Sequence, residues 1–100
     1  SHEPPHFIIL ETNVKNKSQK PVILVGKGIT FNSGGISLKP ANDMEKMKYD
    51  MSGAAAVIAT LWLAAKMNLP YKLIGIAPTC ENLPSVIPEV LIPCYQSPLW

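Results

Sequence analysis

Pro21-Val22-Ile23-Leu24-Val25-Gly26 is a continuous apolar run opened by a proline and closed by a glycine. Proline costs least at the first residue of a strand, and four successive aliphatic residues suit a strand that is apolar on both faces. The run therefore predicts a central strand covered on both sides. Downstream, Asp50 to about Asn68 predicts a helix, because Ala54, Ile58, Leu61, Trp62 and Ala65 recur at three- and four-residue spacings. Ala55, Ala56 and Val57 extend its apolar surface round most of the circumference, so the helix is expected to be sandwiched. Pro70 ends it, and Tyr71-Lys72-Leu73-Ile74-Gly75-Ile76-Ala77 reads as a second central strand. Strand, helix and strand with a long crossover make a right-handed βαβ unit. The predicted class is α/β, the βαβ portion of a mostly parallel sheet covered by helices.

Outward from this unit, Phe7-Ile8-Ile9-Leu10 predicts a short strand, and Glu11 to Lys20 an exposed turn. Gly26 to Pro40 reads as a functional loop rich in glycine and serine. Asn42 or Asp43 is expected to cap a helical turn over Met44 to Tyr49. Beyond Pro84, Pro88, Pro93 and Pro98 interrupt every apolar run. The chain thus divides into residues 1–85, which carry the regular pattern, and a Pro-rich tail over 86–100.

Composition narrows the function. The 100 residues are 47% apolar and 16% charged, enough for one core of ordinary size. A net charge of +2 is far below the basic excess of nucleic-acid binders, so no nucleic-acid partner is expected. All nine cations are lysines, which leaves no guanidinium fork for bidentate carboxylate or phosphate recognition. Ala54 to Ala65 is well short of the roughly 20 residues that cross a bilayer, so no membrane span is expected. The start, Ser1 to Phe7, lacks the apolar core of a secretory signal. Two cysteines, Cys80 and Cys94, are fewer than a disulfide framework needs, and reduced thiols in the cytoplasm are expected.

The βαβ geometry brings the end of the first strand and the start of the helix to one edge of the sheet, where such folds place their sites. This points to Lys27 through Asp50. Gly26-Lys27-Gly28 is followed by Phe31 rather than a third glycine, and no Gly-Lys-Ser/Thr ending is present, which argues against phosphate binding. Lys27, Lys39 and Asp50 remain as a convergent set. Two lysines and a carboxylate can act as ligand, electrophile and metal anchor if one amine gives up its proton. From the residues alone, the stronger reading of Lys27 and Lys39 is as solvated loop charges, and of Asp50 as a helix N-cap. His2 and His6 read as solvent residues of a frayed start, Met44, Met47 and Met51 as packing, and Cys80 as a small buried hydrophobe.

Val25-Gly26-Lys27-Gly28-Ile29-Thr30-Phe31-Asn32-Ser33-Gly34-Gly35-Ile36-Ser37-Leu38-Lys39-Pro40 closely resembles the metal-binding segment of the leucyl aminopeptidase family, the two-metal cytosol aminopeptidases. The likeness continues through Met47-Lys48-Tyr49-Asp50-Met51-Ser52-Gly53-Ala54-Ala55 and Ile74 to Ser85. It implies that Lys27 and Asp50 are ligands of one metal ion. It further implies that Lys39 is the cation that polarises the scissile carbonyl and stabilises the tetrahedral intermediate. In the family two divalent ions, zinc with manganese or magnesium able to occupy one site, activate the water that attacks the amino-terminal peptide bond. The implied substrate is a peptide, the compartment the cytoplasm and the assembly a homo-oligomer.

The sequence also departs from that family. At Asn32 the family has Asp, which bridges both metals; Asn offers one neutral oxygen to hard cations. The family's downstream Asn-Thr-Asp-Ala-Glu-Gly-Arg motif, with two further carboxylate ligands and an arginine, does not occur in these 100 residues, and Val86 to Trp100 does not follow the family pattern. The fold is thus expected to be incomplete relative to the family's catalytic domain. The metal-facing set is expected to be Lys27, Asn32 and Asp50, with occupancy weakened. The isolated chain is expected to be inactive, or nearly so, because a catalytic unit that loses one member loses most of its effect. The alternative is a non-catalytic remnant that associates with intact aminopeptidase subunits.

Overall fold

The computed structural model describes residues 3–12 and 18–84. The Pro-rich tail and Cys94 lie outside the described residues. Four strands, β1 (His6–Glu11), β2 (Val22–Val25), β3 (Gly28–Asn32) and β4 (Leu73–Asn82), form one sheet, with a 3₁₀ segment over Met44–Tyr49 and a helix, α1 (Ser52–Lys66). The long strand β4 is its centre. β1 pairs with β4 antiparallel, from His6 opposite Thr79 to Glu11 opposite Ile74. On the other edge β2 and β3 follow one another along β4, both parallel to it. The unit β2–α1–β4 is the expected parallel crossover, and the α/β class holds.

Three expectations for the strands and the helix change. The segment Gly26–Pro40 is not loop throughout, because Gly28–Asn32 is strand. Ile29, Thr30 and Phe31 are good strand residues, and β4 continues past Ala77 to Asn82 and gives them a partner. Pro78 falls where the parallel edge is interrupted, between the pairs Val25–Ile76 and Gly28–Thr79, where a missing N–H does least harm. Second, β2 is not covered on both sides: Val22, Ile23 and Val25 are exposed. Third, α1 is not sandwiched among the described residues. Ala54, Val57, Leu61 and Ala64 are buried, whereas Trp62 and Leu63 face outward.

The core is the seam between α1 and β4, where Ala77 is 1% exposed. The helix ends as a left-handed cap ends one: Asn68 has φ 51°, and Leu69 N–H donates to the Ala64 carbonyl at 3.1 Å. His6 is the first residue of β1 and exposed, not part of a frayed end. Cys80 is buried and disulfide-bonded, which corrects the expected reduced thiol.

Candidate functional site

The start of α1 sits against the junction of β2 and β3. A Cβ on Gly26 would lie 2.3 Å from the Gly53 carbonyl oxygen, so only glycine permits this approach. The contact lets Ala54 N–H donate to the Lys27 carbonyl at 2.9 Å, which satisfies one of the free N–H groups of the helix's first turn. Lys27 and the residues leading into α1 are thereby held together.

Asp50 lies just before that first turn. The N-cap position is taken by Met51, and no side chain caps the helix. The Asp50 carboxylate instead turns to the strands: Lys27 Nζ lies 2.8 Å from its Oδ2, and Asn32 Nδ2 donates to the same oxygen at 2.6 Å. This decides between the two readings of Asp50 in favour of the cluster. The Lys27 ammonium beside it is the main cause that holds the Asp50 carboxyl below the usual carboxylate range; partial burial opposes this, and Asn32 and the more distant charge of Lys39 add to it. Asp50 is 22% exposed and Lys27 57%, so the pair opens to solvent.

Asn32 closes β3. A one-residue bulge between Ile29 and Phe31 shifts the register, so that Asn32 falls opposite Asn82. Asn32 Oδ1 accepts from Asn82 Nδ2 at 2.8 Å and from Gly34 N–H at 3.0 Å. Ser33, also buried, donates both its N–H and its hydroxyl to the Asn82 carbonyl, at 2.9 and 2.8 Å. The turn then folds back: Lys39 N–H donates to the Ser33 carbonyl at 2.8 Å, and Gly34 has φ 93° with no room for a Cβ beside Ser37. Lys39 is so returned toward Asp50. Lys27, Asn32, Lys39 and Asp50 are therefore gathered at one edge of the sheet. Asn82 and Ser33 are members that the sequence reading did not single out.

A family model described as "Cytosol aminopeptidase family, catalytic domain" matches residues 1–87. The chain belongs to that family. A "Probable cytosol aminopeptidase" of Methylobacillus flagellatus is 58% identical over 84 residues, which are 84% of this chain and 17% of the relative. Among solved structures, cytosol aminopeptidase from Coxiella burnetii superposes with a TM-score of 0.77 at 35% identity over 85% of this chain and 18% of its own. The bottromycin maturation enzyme BotP in complex with Mn gives 0.77 at 44% identity, over 86% and 18%. The chain thus spans under a fifth of the length of the cytosol aminopeptidases it matches.

Metal dependence belongs to the family, and one neighbour is a manganese complex. The donor set of this segment does not itself fit two divalent ions. Two such ions are held by several carboxylate, imidazole or thiolate donors, and no group of three or more His, Cys, Asp and Glu side chains gathers among the described residues. Asp50 brings a single carboxylate, and two donors already engage one of its oxygens. Among the described residues no helix is long and apolar enough to cross a membrane.

Proposed function

We propose that this chain is the metal-proximal segment of a cytosol aminopeptidase's catalytic domain and that the 100-residue polypeptide alone has no turnover. The reaction of the whole enzyme is removal of amino-terminal residues from peptides in the cytoplasm, with zinc, manganese or magnesium. Lys27, Asn32 and Asp50 face the metal position, and Lys39 supplies the positive charge that stabilises the oxyanion formed when the scissile carbonyl is attacked. The observation that carries this reading is the 2.8 Å approach of Lys27 to Asp50, with Asn32 on the same oxygen. The donors present in this segment do not complete a two-metal site. A leucine-anilide assay with added manganese and zinc is the test. No release above the metal blank is expected; robust release that depends on Lys39 and metal overturns the inactivity.

A second reading is favoured by the open apolar faces. Phe7, Ile9, Ile23 and Val25 are each more than half exposed, as are Trp62 and Leu63. Patches of this kind mark surfaces that need cover. Here the chain associates with intact aminopeptidase subunits, or with further copies of itself. Size-exclusion chromatography with and without a full-length relative separates the two readings, since a strictly monomeric, stable chain leaves the second without support.

A further inference from the structure

A backbone N–H can only donate and a carboxylate oxygen can only accept, so the Asn32 amide can sit in one way. Its Oδ1 faces Gly34 N–H and Asn82 Nδ2, and its Nδ2 faces Asp50 Oδ2. Asp50 Oδ2 is also contacted by Lys27 Nζ. Both oxygens therefore carry two donors supplied by the chain. A cation approaching either one has to displace groups that are already well placed.

We infer that Asn32 and Asn82 form an amide clasp that fixes the Lys27–Asp50 cluster by hydrogen bonds alone, so that this site holds its shape without a divalent cation. The inference rests on the proposed function only for the place of the site. Residue 32 is what decides the matter. A carboxylate there would keep its bonds to Gly34 and Asn82 through one oxygen and set the other against Asp50 Oδ2, where Nδ2 now donates at 2.6 Å. Two carboxylate oxygens that close need a proton or a cation between them. The amide supplies the positive edge that the ion would otherwise supply. Asn82 is a positioning residue: it occupies Asn32 Oδ1 and, through its own carbonyl, anchors Ser33.

The test uses the full 100-residue chain, its Asn32→Asp and Asn82→Ala variants, and manganese chloride as the only probe. Side-chain amide NMR signals of Asn32 and Asn82 are followed during the titration, and thermal melts are run in EDTA and in millimolar manganese. For the parent the expected result is one melting temperature in both media and no selective paramagnetic broadening of these two signals. Asn32→Asp is expected to melt lower in EDTA, to recover with manganese, and to bind it at least about tenfold more tightly than the parent. Asn82→Ala is expected to speed solvent exchange of the Asn32 amide protons. Selective broadening of the parent's Asn32 signal at micromolar manganese overturns the clasp, as does equal affinity in parent and Asn32→Asp. The parent titration decides even if a variant fails to fold. Peptide turnover does not enter these readouts, so failure of the proposed function and failure of the clasp are distinct results.

Discussion

Asn32 and Asn82 are register partners at the ends of two parallel strands, and the Asn82 side-chain amide donates from Nδ2 to Asn32 Oδ1 at 2.8 Å. This part-buried bond joins the sheet to the cluster around Asp50. Asn82→Ala removes it and leaves Asn32 Oδ1 with Gly34 N–H alone. The expected loss is about 1 kcal/mol of stability, as for a typical internal hydrogen bond. Urea unfolding of parent and variant measures it; equal midpoints contradict it.

The approach of Gly26 to Gly53 involves backbone on both sides, so an added methyl cannot be accommodated by rotating a side chain. Gly26→Ala is expected to cost about 3 kcal/mol, at the upper end for overpacking, or to prevent folding. An exposed substitution, Ser37→Ala, is expected to change stability by less than about 0.5 kcal/mol. Comparing the two by chemical unfolding separates the specific contact from general sensitivity.

Gly34 has φ 93°, and a Cβ there would run into the Ser37 carbonyl. Gly34→Ala is expected to destabilise by about 1–2 kcal/mol from the left-handed backbone alone, with the steric clash in addition. It should also disturb the Ser33–Lys39 hydrogen bond, seen as faster amide exchange at Lys39. Unchanged exchange there would show that the turn does not hold Lys39.

The Asp50 carboxyl is held below its ordinary range, first by Lys27, with Asn32 and Lys39 assisting against partial burial. A carboxyl whose folded pKa is depressed adds stability that is present above the unfolded pKa and is lost as pH falls through the folded one. The window thus lies below about pH 4, where free carboxyls protonate. Acid unfolding should show the parent losing stability across that window relative to Asp50→Asn, with no divergence between them from pH 5 to 8. Lys27 is more than half exposed, so solvent screens the pair and weakens this effect.

Much of this architecture was legible in the sequence. An aliphatic run from Val22 to Val25, helical spacing from Ala54 and a second apolar run from Leu73 specify a parallel crossover, because each pattern has its own period. The convergence of Lys27 and Asp50 followed from the strand end and helix start sharing one sheet edge. What was not legible depended on pairing. Gly26 and Gly28 read as loop, yet Gly28–Asn32 becomes strand because β4 runs on beyond Pro78. Asn82 acquires a role only through the bulge that sets it opposite Asn32. The exposed apolar face of β2 was likewise beyond reach, since local pattern does not reveal which neighbours cover a strand.

Calorimetric titration of manganese into the parent and into Asn32→Asp, side by side at neutral pH, tests the central claim most directly. An amide at position 32 closes the cluster with hydrogen bonds, so the parent is predicted to show weak or undetectable heat and the variant clear saturable binding. Tight binding by the parent, indistinguishable from that of the variant, would contradict it.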